Sequence, residues 1–272
     1  MASSATKRGR TRTRSQPPTV RALERGLLVL EALGHDNDAA LSEVARKTNL
    51  TCSTTFRLLE TLRQKGYVDQ DELTGRYRLG AGALGIGASY SAKLPLPEAG
   101  STALRRLVEI TGETANLAVL SGVQAVYVHQ IESQRSVRMF TQLGSRAPVH
   151  CTGVGKALLA WLPQEQVEQL LADIPFEVFT ENTIRTLSQF VAELEVVSRQ
   201  GFAVDDEERE MGVRCVAAPV RDARGVVVAA LSVSSPAVRL PKKAIAQCAR
   251  EVKSAADDIS VRLGCLNPPP SG

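Results

Sequence analysis

The chain has 272 residues, of which 43% are hydrophobic and 23% charged, enough for two domains with real cores. No apolar run approaches the ~20 residues of a membrane span. The N-terminus lacks the apolar stretch of a secretion signal, so a cytoplasmic protein with no membrane attachment is expected. The net charge of +4 is concentrated in an arm: Lys7, Arg8, Arg10, Arg12 and Arg14 leave about −1 for everything after them.

Residues 1–18 are polar and basic, end in Pro17-Pro18, and predict a disordered arm. Beside a DNA-reading unit such an arm suits phosphate or minor-groove contact; without one it aids solubility only. Thr19 then caps a helix whose Val20, Leu23, Leu27, Leu30 and Leu33 share one side. Gly34 and the polar run to Asp38 end it, and Ala39–Leu41 predicts a short strand. Ser42 is the expected N-cap of a second helix carrying Val44 and Ala45, which breaks at Asn49-Leu50. Thr51 caps a third helix to about Lys65, stopped by Gly66.

At about 100° per residue, Thr55, Leu58, Leu59 and Leu62 of the third helix form a core stripe. Ser53, Phe56 and Arg57 face the other way, with Thr54 at the margin. A small, polar and cationic face at a helix N-terminus is what a major-groove reader presents. An ordinary helical hairpin with a polar face shows the same spacing. Tyr67-Val68, a polar tip at Thr74-Gly75, and Arg76-Tyr77-Arg78-Leu79 read as a basic β-hairpin. Residues 19–80 are therefore expected to form a winged helix-turn-helix.

Residues 81–97 open with AGALGIGASYSAKL. As a helix, this stretch lets two backbones approach closely and suits dimerisation; as a glycine-rich connector it is flexible. Pro95 and Pro97 break the chain, and Glu98–Thr111 is amphipathic through Leu104, Leu107, Val108 and Ile110. Ala115–Leu120 and Val123–Ile131 read as a hairpin about Ser121-Gly122, with Val137–Thr141 as a further strand. Pro148–Cys151 runs extended into Thr152-Gly153-Val154-Gly155, and a helix begins near Lys156. Helices follow over Gln164–Leu171 and from Thr186 or Ser188 to Gly201. Strand Phe202–Val204 leads into the acidic run Asp205–Glu208, and Val213–Val220 pairs with Val226–Val233. A helix from Pro241 to about Leu263 and a disordered tail over 266–272 close the chain. Five or six strands arriving mostly as hairpins, with helices around them, predict an α+β domain over 98–265. One face of its antiparallel sheet is free to hold a ligand.

The chemistry-bearing residues of that domain are few. Gly153 and Gly155 leave amides accessible before a helix, which attract a carboxylate. Ser232 and Ser234, two apart in a strand, share a face, and Cys215 adds a weak donor or an apolar wall. The same serines fit a solvated face, and Asp205 fits a solvated acidic loop partly neutralised by Arg209 or Arg214. An enzyme using Cys215 with a histidine, or Asp205 with Glu207, lacks a nucleophile motif, and GVRCVAAP reads as a strand interior, so no enzyme is expected. Cys52, Cys151, Cys215, Cys248 and Cys265 form no Cys-x-x-Cys pair; they read as reduced thiols, with no metal or cofactor.

The sequence resembles the IclR family of bacterial transcriptional regulators over nearly its whole length. The resemblance is carried by RALERG from Arg21, STTFRLL from Ser53, GRYRLG from Gly75 and GET from Gly112. HCTGVGKALLA from His150 and DDEE from Asp205 with GVRC from Gly212 are the most specific. It implies a winged helix-turn-helix, a dimerising linker helix and a GAF-like domain with a six-stranded antiparallel sheet flanked by helices. It also implies operator DNA as partner, a homodimer or dimer of dimers, and a small organic acid as effector. On that basis Ser53, Thr54, Phe56, Arg57, Arg76, Arg78, Arg21, Arg12 and Arg14 are the expected DNA contacts. STTFR and LGSRAP from Leu143 look most like the glyoxylate- and pyruvate-sensing branch that includes the allantoin-pathway repressor. That branch implies effector contacts at Gly153, Val154, Asp205, Cys215, Ser232 and Ser234. Val154 stands where the branch usually has alanine, which reshapes the pocket wall and keeps an aromatic-acid-responsive activator open as the alternative.

Overall fold

The computed structural model describes residues 20–34, 38–91 and 96–265. The chain divides into two compact units between Lys93 and Leu94, inside the predicted linker. No helix among the described residues is long and apolar enough to cross a membrane. The predicted arm and tail, with Arg12 and Arg14, lie outside the described residues.

The first unit holds α1 (Arg21–Gly34), α2 (Leu41–Thr48), α3 (Cys52–Gln64), strands β1 (Val68–Gln70) and β2 (Tyr77–Leu79), and α4 (Ala81–Ser91). Its core is Val29, Leu33, Ala39, Val44, Leu59, Val68 and Tyr77, with Leu30, Leu58 and Leu62 against it. Only the C-terminal half of α1 reaches this core. Val20, Leu23 and Leu27, predicted to share its buried side, are exposed. The small three-helix core is filled by the last two turns of α1, and the first half of the helix runs past it. Ser42 does not cap α2. Ala40 is the cap position, and the Glu43 carboxylate accepts its N–H at 2.7 Å, the returning half of a capping box. Asn49, in the left-handed region at φ 53, ends α2. Thr51 caps α3, its hydroxyl accepting the Thr54 N–H at 3.3 Å. The predicted strand at Ala39–Leu41 shrinks to one bridge, Ala39 to Tyr77, because Leu41 already belongs to α2. The residues of 81–91 are helical, and Gly82 is required there: a Cβ would meet the Gly66 carbonyl oxygen at 2.8 Å.

The second unit is a six-stranded sheet in the order β5-β4-β3-β8-β7-β6, with every neighbouring pair antiparallel. The strands are β3 (Thr114–Ser121), β4 (Gln124–Ile131), β5 (Arg146–Pro148), β6 (Ala203–Asp206), β7 (Val213–Arg221) and β8 (Val227–Pro236). Helices α5 (Leu96–Thr111) and α9 (Ile245–Arg262) cover one face, burying Leu104, Leu107, Val252 and Ile259 against Leu117, Val216, Leu231 and Val233. The alternate strand residues Ala118, Ala217 and Ala230 face α6 (Gly153–Leu159), through Val154, Ala157 and Leu158. Helices α7 (Gln164–Leu171) and α8 (Leu187–Gln200) pack beside α6 around Leu159 and Phe190.

Three expectations change here. Val137–Thr141 is a loop; the sheet edge it was expected to extend is taken by Arg146–Pro148, which pairs with Gln124–Val126 of β4. The loop is tied instead to β3, where the Thr114 hydroxyl donates to the Met139 carbonyl at 2.8 Å. Strand β6 extends through Asp205 and Asp206, so the acidic run begins on a strand rather than in a loop. Ile110, expected on the buried stripe of α5, is exposed.

Candidate functional site

The two units each present one surface with chemistry. In the first, Ser53, Phe56 and Arg57 stand exposed on the N-terminal half of α3, with Phe56 at 48%. Thr55 and Leu59 on its opposite side are buried. Thr54 is half-buried, and its hydroxyl is engaged by that of Thr51 at 3.0 Å. Arg57 makes no ion pair among the described residues, so its guanidinium is available to a ligand. Arg21 is exposed at the start of α1.

The wing is less basic than its sequence suggested. Arg76 does not point a free charge outwards: its guanidinium bonds Asp38 at 2.6 Å and Glu43 at 3.0 Å, tying the hairpin to the start of α2. Asp69, Asp71 and Glu72 add negative charge around the tip. Arg78 remains exposed on β2. Replacing Arg78 with alanine should therefore lower the slope of log affinity against log salt by about one, while Arg76→Ala leaves the slope nearly unchanged. Equal losses in a salt titration of DNA binding would mean that Arg76 leaves its carboxylates for a phosphate.

In the second unit, all six residues expected at an effector site line one cavity of about 130 Å³: Gly153, Val154, Asp205, Cys215, Ser232 and Ser234. Register explains the convergence. Cys215 pairs with Ser234 and Ala217 with Ser232 across β7 and β8, and Asp205 pairs with Cys215 across β6 and β7. The Cys215 thiol donates to the Ser234 hydroxyl oxygen at 3.2 Å. Glycine brings α6 onto this face: a Cβ on Gly155 would overlap the Val149 backbone, and one on Gly153 would press on Ala217 at 3.3 Å. Thr152 caps the helix by accepting the Gly155 N–H at 3.2 Å. That leaves the N–H groups of Gly153 and Val154 with no acceptor within the helix.

Several lining residues were missed from sequence. Tyr127 of β4, Met139, Phe140 and Thr141 of the loop after it, Arg209 and Glu210 are also part of the wall. Beside them, Asn116 donates to the Ser234 hydroxyl at 3.2 Å while its own carbonyl oxygen is buried without a partner. Arg209 lies 3.8 Å over the Phe179 ring instead of neutralising the acidic run.

The acidic run is not a solvated patch. Asp206 and Glu207 bond Arg214 at 2.5 and 3.0 Å, and Lys242 reaches Asp206 at 3.0 Å. Glu208 bonds the buried Lys156 at 2.5 Å. Lys156, only 1% exposed, also reaches Glu193 of α8 at 3.1 Å and the Val204 carbonyl at 2.8 Å. This buried cation joins α6, α8 and the acidic turn behind the cavity. The hydroxyls of Thr180 and Thr183 brace the same turn, donating to the Glu207 and Glu208 carbonyls at 2.7 Å each.

Burial sets the protonation states. It raises the Tyr127 hydroxyl and the Cys215 thiol well above their ordinary values, and pushes Cys151 up to about 12. Cys215 is thus a neutral donor, and no histidine among the described residues activates it: His129 bonds Ser101 at 2.9 Å and His150 bonds the Glu177 carbonyl at 3.0 Å. Asp205 is pushed up to about 7, by burial first, with the nearby Glu208 charge adding to it; the N–H bonds it accepts from Glu208 and Arg209 hold it from rising further.

A helix-turn-helix with an exposed polar and cationic face on α3, followed by a sheet domain with a small cavity lined by apolar and polar groups, is the architecture of a DNA-binding regulator with a ligand domain. Residues 22–72 match the IclR helix-turn-helix domain, and residues 88–261 match the bacterial transcriptional regulator IclR C-terminal domain. Over 249 residues the chain is 33% identical to the HTH-type transcriptional regulator KdgR of Escherichia coli K12, covering 92% of this chain and 95% of that one. Over 244 residues it is 36% identical to the HTH-type transcriptional repressor AllR of the same strain, covering 89% and 90%. The structure of an IclR homologue complexed with 4-hydroxybenzoate, from Microbacterium hydrocarbonoxydans, superposes with a TM-score of 0.76 at 25% identity, over 89% of this chain and 98% of that one. The chain belongs to the IclR family: it is a DNA-binding transcriptional regulator with a C-terminal effector-binding domain, not an enzyme.

Proposed function

We propose that this regulator binds operator DNA through Ser53, Thr54, Phe56 and Arg57, and that a small organic acid in the 130 Å³ cavity switches that binding. The observation that carries the reading is the convergence of Gly153, Val154, Asp205, Cys215, Ser232 and Ser234 on one partly open cavity, whose mostly apolar wall carries a few polar groups. Its volume is well below the ~300 Å³ at which drug-sized ligands begin to fit. That favours an acid of a few carbon atoms, such as glyoxylate or pyruvate, and the relation to AllR, named a repressor, favours repression. An aromatic acid is the second reading, favoured by the 4-hydroxybenzoate complex of the Microbacterium homologue. It requires the Met139–Thr141 loop to move outwards, since Val154 and Tyr127 already bound the cavity.

The regulator acts as a dimer or a dimer of dimers. Leu23 and Leu27 of α1 and Leu84 and Ile86 of α4 are exposed apolar side chains in the first unit, more than a lone DNA-binding head needs. Ligand then biases the spacing of two α3 helices, and one spacing fits the half-sites. The test is a mobility-shift titration on a site selected from random DNA, with glyoxylate, pyruvate and 4-hydroxybenzoate each added. A ligand that binds the protein is expected to shift operator affinity at least fivefold, the low end of allosteric coupling. Unchanged affinity with a ligand demonstrably bound would sink the switch.

A further inference from the structure

Asp205 is an unexpected wall for a cavity that takes an acid. The residue is 3% exposed, and one carboxylate oxygen is held by the N–H groups of Glu208 at 2.8 Å and Arg209 at 3.4 Å. No ion pair reaches it among the described residues. The nearest committed cation, Lys156 of α6, is bonded to Glu208 and to Glu193 of α8. The other titratable or charged groups around it are Tyr127 of β4, Cys151 ahead of α6, Glu208, Arg209 and Glu210 of the turn, and Cys215 of β7. Burial holds Tyr127, Cys151 and Cys215 protonated across the neutral range, so none of them can take up a proton there.

A ligand carboxylate in a cavity of about 130 Å³ comes within a few ångströms of Asp205. Two carboxylates sharing a site cannot both ionise, because like charge raises one of them strongly. We propose that Asp205 holds the effector as the neutral acid, donating its proton to the ligand carboxylate, so that binding a ligand and binding a proton are one event. One proton moves from solvent onto Asp205, and an O–H···O⁻ hydrogen bond forms to the ligand; no other bond is made or broken. Since burial already holds Asp205 at about 7, the proton is taken from near-neutral solution at little cost. This inference rests on the effector being an organic acid.

The experiment is titration calorimetry of the full chain with glyoxylate, pyruvate and 4-hydroxybenzoate, in buffers of differing ionisation enthalpy, from about pH 6 to about pH 8.5. Close to one proton taken up per ligand near pH 8 is expected, little near pH 6, and a loss of affinity of about tenfold per pH unit above 7. In Asp205→Asn, whose amide keeps a donor and the turn's acceptor, uptake and pH dependence should both vanish, and neutral pyruvamide should bind the wild type without uptake. An acid that binds the wild type with no proton uptake and flat pH dependence overturns the inference and leaves the effector reading standing. If none of the three acids binds at any pH while pyruvamide does, the acid reading falls and takes the inference with it.

Discussion

Lys156→Met should destabilise the effector-binding unit by about 3–5 kcal/mol, the cost of leaving one partner of a buried pair uncompensated. Lys156 is almost fully buried against Glu208, and Glu208 already has one carboxylate oxygen without a partner. Methionine fills the volume but strands the Glu208 charge. Against a domain stability of ~5–15 kcal/mol, this is a large fraction. The sign of the pH dependence separates this cause from simple repacking. Burial already raises Glu208 above its ordinary value, and without the lysine it rises further. Protonation at low pH removes the stranded charge, so the deficit of the variant should shrink as pH falls and grow as it rises. The double variant Lys156→Met with Glu208→Leu should recover much of the loss. Urea unfolding followed across pH checks all three points; a deficit under ~1 kcal/mol, or one that does not vary with pH, would show that water reaches this cluster freely.

Arg57→Ala should cost about 1–3 kcal/mol of specific DNA binding, the range of a good bidentate contact to a base. The exposed position of Arg57 beside Ser53 and Phe56, with no intramolecular ion pair among the described residues, leaves the guanidinium free for a guanine edge. Binding to random DNA should fall much less, because non-specific affinity comes from phosphates. Parallel titrations on a selected site and on random duplex decide it: equal losses on both would make Arg57 a phosphate contact.

Local chemistry made much of this architecture readable. Thr51 as cap, Gly66 as stop and the stripe Thr55, Leu59, Leu62 place α3 and its outward face from sequence, because caps and periodicity act within a few residues. The hairpins β3–β4 and β7–β8 followed from alternation and turn chemistry for the same reason. Ser232 and Ser234 shared a face by period alone. Misreadings arose where distant partners decide. VRMFT at Val137–Thr141 has strand-like composition, yet β4 pairs with Arg146–Pro148 instead. Arg76 looked like a DNA-facing charge until Asp38 and Glu43 took it. Val20, Leu23 and Leu27 carried a helical stripe, but the core they would have joined is full.

The amino-acid order alone settled most element types, the order of the two units, the exposed face of α3 and the family, since each is written in short-range spacing and in motifs. Only the packed chain decided that Lys156 is the buried counter-charge of the acidic turn, that Tyr127, Arg209 and a misread loop wall the cavity, and that Asp205 sits near 7. The reason is physical: burial and ion pairing are made between residues tens of positions apart, and desolvation has no local signature.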